Sequence, residues 1–240
     1  MDTLSTDHIQ LALNLRLRDT SSFENFIAAR NREAVERLQH AVHRPSRAPN
    51  SPSSWLYFWG EPGTGKTHLL EAACRAAQEQ GHAPLYLPLA EKANFTTALF
   101  EDVEQVSLVC VDDVDAIAGD AVWEAALFAL YENLRAYGGM LVMAARGNPA
   151  TVGLKLADLA TRLAAGLVYQ LQPLSDKEKI AALRLRAQQR GLEMTEEVAN
   201  YLLTRFPRDM HSLFALLDRL DIATLAAQRR LTIPFLRGLE

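Results

Sequence analysis

The amino-acid sequence predicts an α/β fold with a parallel sheet between helices, followed by a small domain built of helices alone. From about residue 55 to residue 171, apolar stretches with strand character alternate with amphipathic helical stretches. Such alternation is typical of βαβ units, whose strands run parallel and are covered on both faces. After Pro173 only helical periodicity remains. This change predicts a boundary near Gln172 between an α/β domain and a helical one.

The predicted elements follow in chain order. A helix over 31–42 comes first, and a stretch rich in proline and serine over 44–54 predicts a loop before the sheet. The expected strands are 56–59, 84–87, 106–111, 140–144 and 167–171, with helices between them that include 68–80 and 120–137. Three further helices are expected over 175–189, 195–205 and 208–228. Ser175 and Glu178 have the spacing of a capping box, which indicates a helix start.

Composition limits the classes of function. The chain is 49% hydrophobic and 22% charged, as in ordinary globular proteins. Its formal net charge of −4 argues against coating nucleic acid over a large surface, because such binding depends on positive charge. DNA contact is therefore expected to be local or indirect. The N-terminus lacks the basic-then-apolar pattern of a signal peptide, and no apolar run approaches the roughly 20 residues that cross a bilayer. A cytoplasmic protein with no membrane partner is expected.

Residues 60–67, directly after the first strand, read GEPGTGKT and fit the phosphate-binding pattern G-x-x-x-x-G-K-[ST] at every fixed position. Glycines let backbone N–H groups approach the oxygens of a nucleoside triphosphate, and the start of the next helix favours the same charge. Lys66 would reach the β- and γ-phosphates, and the Thr67 hydroxyl would bind Mg²⁺. The expected nucleotide-binding residues here are Gly60, Pro62, Gly63, Thr64, Gly65, Lys66, Thr67 and His68.

Two carboxylates end the apolar strand near residue 111. In phosphate-loop NTPases an acid at such a strand end holds Mg²⁺, which predicts this role for Asp112 together with Thr67. A second acid can orient or deprotonate the attacking water, which suits Asp113. Taken alone, paired acids at a strand end are also typical of a solvated turn, and Asp115 fits an exposed continuation of it.

Several runs resemble a known family. The extended loop GKTHLL, the paired acids, the run FENF at 23–26 and the later runs DLATRL and PRDMHSL resemble the AAA+ part of DnaA-type replication initiators. The runs LQPLSDKEK at 171–179 and AQRRLTIPF at 227–235 are most similar to the Hda family, DnaA-related regulators that inactivate DnaA. The resemblance covers nearly the whole chain from Phe23. It implies an AAA+ phosphate-loop NTPase with a C-terminal helical lid that binds ADP or ATP with Mg²⁺.

The N-terminal hexapeptide QLALNL at residues 10–15 resembles the sliding-clamp-binding motif of the same family. The resemblance implies that Gln10, Leu11, Leu13 and Leu15 dock as an extended peptide on the DNA polymerase III β sliding clamp. Alternate side chains of an extended peptide face the same way, which suits pocket binding. The family usually has proline where Asn14 stands, so the motif departs from the pattern there. An edge strand of the domain is the alternative.

The family also implies roles for residues outside the loop. Arg162 stands at the place of the arginine finger, which acts on ATP held by a neighbouring subunit, whereas its position alone predicts a surface ion pair with Asp158. Arg208 matches the second sensor arginine, which contacts the chain's own nucleotide. Ile27 and Asn31 are expected nearest the base. The strand end at 144–149 departs from the family, so sensor one stays unassigned.

The sequence is compatible with three functions, of which the family resemblance favours the first. The resemblance implies a DNA replication inhibitor with an extended clamp-binding segment over 1–22, an AAA+ domain over 23–172 and a lid over 173–240. It would contact DNA only through the clamp and act on DnaA, with weak or absent ATPase activity of its own and nucleotide-dependent homo-oligomers. The chain stops at Glu240 without an initiator's helix-turn-helix domain, so an initiator is not expected. The alternatives are an autonomous AAA+ ATPase of the helicase-loader or transposition-helper type, and a nucleotide-gated binding module.

Overall fold

The computed structural model describes residues 21–43, 55–100, 103 and 106–238. The predicted clamp-binding residues 10–15 lie outside the described residues. The described chain forms two compact units. The first, the sheet unit, contains residues 21–24 and Arg30–Gln172, and the second, the helical unit, contains Asn25–Ala29 and residues 173–238. Each unit has its own hydrophobic core.

In the described part of the sheet unit, five strands form one sheet in the order β2-β3-β4-β1-β5, and all neighbouring strands run parallel. Their bounds are Trp55–Trp59 (β1), Leu85–Pro88 (β2), Leu108–Asp112 (β3), Met140–Ala145 (β4) and Leu167–Gln170 (β5). The predicted α/β fold with a parallel sheet is confirmed. The third strand begins two residues later than expected, because the Val106 N–H donates to the Val103 carbonyl at 3.0 Å and closes a turn there.

The helices of the sheet unit are Arg32–His43 (α1), Lys66–Glu79 (α2), Ala121–Tyr137 (α3) and Ala157–Ala164 (α4). The first three agree with the predicted helices within two residues. Asp120 caps α3 by accepting the Trp123 N–H, and Gly138 ends it with a φ of 74°. Helix α4 has no predicted bounds, because its eight residues carry little more than two turns of periodicity.

The core of the sheet unit lies on both faces of the central strands. All residues of β3 and β4 are buried, whereas the edge strand β5 has residues that alternate between half-buried and exposed. Central parallel strands covered on both faces read as continuous apolar runs, and this is why they were visible in the sequence. The carboxyl ends of these strands form the edge where ligands of open α/β sheets bind.

The helical unit contains Asp176–Gln189 (α5), Glu196–Arg205 (α6), Met210–Ala227 (α7) and Ile233–Arg237 (α8). The predicted capping box is present, because the Ser175 N–H donates to the Glu178 carboxylate at 2.6 Å. The core of this unit is made mostly of leucines, and Ile27 packs against it. The short helix α8 was not predicted; it begins after Thr232, whose hydroxyl accepts the Phe235 N–H. Within the described residues, no helix is both long and apolar enough to cross a membrane.

Candidate nucleotide-binding site

The phosphate-binding loop connects β1 to α2 at the carboxyl edge of the sheet. Gly60 begins the loop with a φ of 151°, and a Cβ placed there would lie 2.6 Å from the Leu171 carbonyl oxygen. That carbonyl cannot easily move, because the N–H of the same peptide, that of Gln172, donates to the Asn31 amide oxygen at 2.7 Å. Gly65 ends the loop with a φ of 93°, a backbone conformation that side chains disfavour. The first and last glycines of the motif are therefore required by backbone geometry.

Lys66 is the only strongly basic group of the loop motif, and its side chain is buried. Its ammonium group donates to the Gly60 carbonyl at 2.8 Å and to the Glu61 carbonyl at 2.9 Å. Burial lowers the pKa of Lys66, while the carboxylates of Asp112, Asp113 and Asp115 oppose that change. The fold therefore brings the loop lysine and the acids after β3 into one electrostatic site.

The first turn of α2 is open to an anion. Its N-cap is Gly65, so no side chain caps the helix. Orphan N–H groups at a helix start form a ready site for phosphate oxygens. Thr64 instead folds back on the loop, where its hydroxyl donates to the Glu61 carbonyl at 2.9 Å. Thr67 lies in this first turn and is half-buried, whereas Pro62 and Gly63 are exposed at the loop tip.

Asp112 and Asp113 have different surroundings although they are adjacent. Asp112 is buried, and its two oxygens accept the Asp113 N–H at 2.9 Å and the Tyr86 hydroxyl at 3.0 Å. Asp113 adopts a left-handed backbone conformation with a φ of 53°. Burial raises the pKa of Asp113, and the neighbouring carboxylates of Asp112 and Asp115 raise it further. The pair thus combines a fixed carboxylate with one that holds its proton more readily.

Asp115 is tied to the end of β4, so the expectation that it is an exposed continuation of the turn is wrong. Its carboxylate accepts the Arg146 N–H at 2.9 Å, and the Arg146 guanidinium lies 3.4 Å from its other oxygen. The two residues are 31 positions apart. One feature of the sequence indicates a role for Arg146 at this edge of the sheet: it is a charged residue directly after a buried strand. Arg146 adds a cation to the site beside Lys66.

His68 connects α2 to the start of the described chain. Its Nε2 atom lies 2.9 Å from the Ser22 carbonyl oxygen. One turn later, the buried carboxylate of Glu71 accepts the Ser21 hydroxyl at 2.6 Å. These two contacts fix residues 21–22 along the helix that follows the phosphate loop. His68 therefore supports the position of that segment in the structure, whatever it contributes to a nucleotide.

The two residues expected near the base lie in different units. Asn31 is buried in the sheet unit, where its amide nitrogen donates to the Gln172 carbonyl at 3.0 Å and its amide oxygen accepts the Gln172 N–H at 2.7 Å. This reciprocal pair fixes the chain after β5. Ile27 belongs to the helical unit. Contact of either residue with a base stays a prediction.

The two arginines implied by the family are both largely exposed. Arg162 lies on α4, where its side chain is 47% exposed and its Nε atom lies 3.6 Å from the Glu132 carboxylate of α3. Among the described residues this pair replaces the expected one with Asp158. Arg208 belongs to the helical unit, precedes the N-cap Asp209 of α7 and lies 3.4 Å from the Asp176 carboxylate. Their roles toward nucleotide stay predictions.

The residues present fit a nucleoside diphosphate or triphosphate with Mg²⁺. The uncapped start of α2 and the Lys66 ammonium suit phosphate oxygens, and the Thr67 hydroxyl with the Asp112 carboxylate are oxygen ligands of the kind that Mg²⁺ prefers. When bound, Mg²⁺ supplies neutralisation of charge on the phosphates. The parallel sheet, the loop after β1 and the acids at the end of β3 together define a phosphate-loop NTPase fold.

Two family comparisons refine this class. The sequence matches the family described as the bacterial DnaA ATPase domain over residues 17–170, and the Hda lid domain over residues 176–239. The first match spans more than half of the chain, and the second covers most of the helical unit. The chain therefore belongs to the Hda family of DnaA-related AAA+ proteins.

Solved structures show the same fold. Domain III of the replication initiation protein DnaA from Thermotoga maritima matches with a TM-score of 0.77 and 21% identity, over 92% of this chain and 95% of that one. AMPPCP-bound DnaA from Aquifex aeolicus matches with a TM-score of 0.67 and 24% identity, over 82% of this chain and 65% of that one. DnaA bound to AMPPCP and single-stranded DNA matches with a TM-score of 0.69 and 22% identity, over 85% of this chain and 65% of that one. The chain thus spans just under two thirds of the last two.

Proposed function

We propose that this protein is a negative regulator of chromosome replication initiation. It docks on the DNA-loaded sliding clamp and presents Arg162 to ATP bound by DnaA, which stimulates hydrolysis and leaves inactive ADP-DnaA. The observation that carries the proposal is the position of Arg162 within a member of the Hda family. An arginine finger supplied from another subunit accelerates hydrolysis by about a thousandfold or more.

The surroundings of Arg162 support action on a partner's nucleotide. Its side chain is 47% exposed and pairs with Glu132, and none of the described acids Asp112, Asp113 and Asp115 forms an ion pair with it. A half-exposed ion pair is weak, at about 0.2–1 kcal/mol, so an incoming triphosphate can replace Glu132. Arg162 is therefore available for a ligand that approaches from outside.

The chain's own site serves as a switch in this proposal. Adenine nucleotide with Mg²⁺ binds at residues 60–68 and at Asp112, and Arg208 of the lid contacts its phosphates while Ile27 and Asn31 approach the base. ADP favours the monomeric, active form, and other nucleotide states favour homo-oligomers. Gel filtration with ADP and with ATP tests this switch, and identical elution profiles would count against it.

Clamp docking is assigned to Gln10, Leu11, Leu13 and Leu15, and DNA is reached only through the clamp. The residue pattern and the family membership support this assignment. We expect the double variant Gln10→Ala, Leu11→Ala to lose clamp binding in a pull-down while its affinity for ADP is unchanged. Retained clamp capture would remove the motif from the proposal. A cytoplasmic location follows from these partners.

The decisive experiment measures conversion of ATP to ADP on purified DnaA, with and without this protein, in the presence of clamp loaded on DNA. The matched control for Arg162→Ala is Arg135→Ala, because Arg135 lies 3.6 Å from the same Glu132 carboxylate. We expect Arg162→Ala to lose stimulation and Arg135→Ala to retain it. Equal stimulation by wild type and Arg162→Ala would show that Arg162 only packs, as in a nucleotide-gated binding module.

A second candidate is an autonomous AAA+ ATPase of the helicase-loader or transposition-helper type. The raised pKa of Asp113, which comes first from burial and then from its acidic neighbours, suits a proton acceptor for the chain's own hydrolysis. The same assay without DnaA tests this candidate. Rapid hydrolysis by the chain alone, with DnaA indifferent to it, would replace the regulatory proposal.

A further inference from the structure

Glu124 is a buried carboxylate that the nucleotide site does not use. It lies in the first turn of α3 and is 1% exposed. A carboxylate so far from water is stable only when hydrogen bonds replace its hydration. Among the described residues, the hydrogen-bond donors to Glu124 are backbone N–H groups, and they come from two separate segments of the sheet unit.

The first segment leads into the helix that carries Arg162. The Leu156 N–H donates to one Glu124 oxygen at 2.7 Å, and the Lys155 N–H donates to both oxygens, at 2.9 and 3.1 Å. Leu156 is the N-cap residue of α4 and has no side-chain acceptor. Glu124 therefore accepts the N-cap N–H of α4 from a different helix, as the N3 glutamate of a capping box does within one helix, and places a negative charge at the positive start of α4.

The second segment follows the acids of the nucleotide site. The Gly119 N–H donates to Glu124 at 2.7 Å, at the end of the turn that begins after Asp113. One carboxylate thus joins the acidic turn to the start of α4. Burial alone would raise the pKa of Glu124, but the N–H groups of Leu156, Gly119 and Lys155 outweigh it and the pKa is lowered. The side chain is therefore ionised at neutral pH.

We infer that Glu124 is a positioning residue for Arg162, fixing the start of α4 so that the guanidinium is presented in one place. The inference rests on the proposed function. Leu159 and Leu163 hold the apolar side of α4 against the core, and apolar contacts tolerate sliding, whereas three hydrogen bonds to one carboxylate do not. Arg162 lies six residues after the anchor, about 9 Å along the axis, so a shift of the first turn moves it directly. A misplacement of about 1 Å reduces catalysis by about a hundredfold.

The test uses the full chain with Glu124→Gln, which keeps one carbonyl acceptor and loses the charge. We expect the rate of DnaA-bound ATP hydrolysis at saturating protein to fall about tenfold to a hundredfold. The concentration for half-maximal stimulation and the affinity for ADP stay unchanged, because Glu124 touches neither partner nor nucleotide. In the chain alone, amide hydrogen exchange at Lys155, Leu156 and along α4 becomes faster.

The control is Val42→Ala, a buried substitution in α1 that lowers thermal stability without touching α4. If Glu124→Gln stimulates DnaA-bound ATP hydrolysis at the wild-type rate, the inference is overturned. It is also overturned if Glu124→Gln and Val42→Ala lower the unfolding temperature equally and Glu124→Gln loses no more of that rate than Val42→Ala does. If wild type itself fails to stimulate DnaA, the proposed function fails. The exchange measurement then decides the positioning role, because unchanged exchange over 155–164 in Glu124→Gln overturns it and faster exchange supports it.

Discussion

Replacing Gly60 by alanine tests the geometry of the phosphate loop directly. The new Cβ would lie 2.6 Å from the Leu171 carbonyl oxygen, short of the 3.0 Å that real contacts keep, so the loop or the strand must move by about 0.4 Å or more. Overpacking of this kind costs about 1–3 kcal/mol. The φ of 151° adds about 1 kcal/mol for a residue with a side chain.

Gly81→Ala is the matched control. Gly81 also has a positive φ, of 78°, but a Cβ there meets nothing within 4 Å. We expect the control to lose about 1 kcal/mol and Gly60→Ala about 2–4 kcal/mol. At about 2–4 °C for each kcal/mol, the unfolding temperature of Gly60→Ala falls by about 4–16 °C, against about 2–4 °C for the control.

Nucleotide affinity provides the second measurement. The Lys66 ammonium hydrogen-bonds the Gly60 and Glu61 carbonyls, so a displaced loop also displaces the group that reaches the phosphates. Titration calorimetry with ADP is expected to show at least about tenfold weaker binding for Gly60→Ala, or about 1.4 kcal/mol, and no change for Gly81→Ala. Equal unfolding temperatures and equal ADP affinities in the two variants would refute the reasoning.

Three further substitutions test the charges around the loop. Asp113→Asn should raise the unfolding temperature at pH 7, because the folded chain raises the pKa of Asp113 and so disfavours its charge. The gain should vanish below about pH 3.8, and a gain that persists there contradicts the prediction. Tyr86→Phe removes a hydrogen bond to Asp112 worth about 1.5–3 kcal/mol and should lower the unfolding temperature by about 3–12 °C. Tyr137→Phe, the control with an exposed side chain, should leave it unchanged. Lys66→Met should weaken ADP binding at least about a hundredfold in titration calorimetry, because a unit charge at 4 Å from a phosphate charge contributes about 4 kcal/mol. An affinity within tenfold of wild type would show that Lys66 does not contact the phosphates.

The elements of the site that share a short sequence pattern could be predicted, and those that depend on distant pairs could not. Residues 60–67 are consecutive, so their spacing alone defines the phosphate loop. The apolar run of β3 is equally visible in the sequence, and it shows that the acids stand at the end of a strand. Asn31 and Gln172 are 141 positions apart, and Glu124 and Leu156 are 32 apart. No local pattern marks such pairs, because the fold alone brings them together. An isolated glutamate in a helix reads as a solvated residue until its burial is known.

The charges around the loop give a physical reason why ADP suits the proposed switch. Three carboxylates, Asp112, Asp113 and Asp115, act on the same site as the two cations Lys66 and Arg146. A nucleotide therefore enters a site with one more acidic than basic side chain among these five, and each additional negative charge of the phosphates must be offset by Mg²⁺. ADP carries less negative charge than ATP, so it meets less repulsion from these carboxylates. The Arg162 guanidinium is paired with Glu132, and in the proposed function its charge acts on a triphosphate held outside the chain.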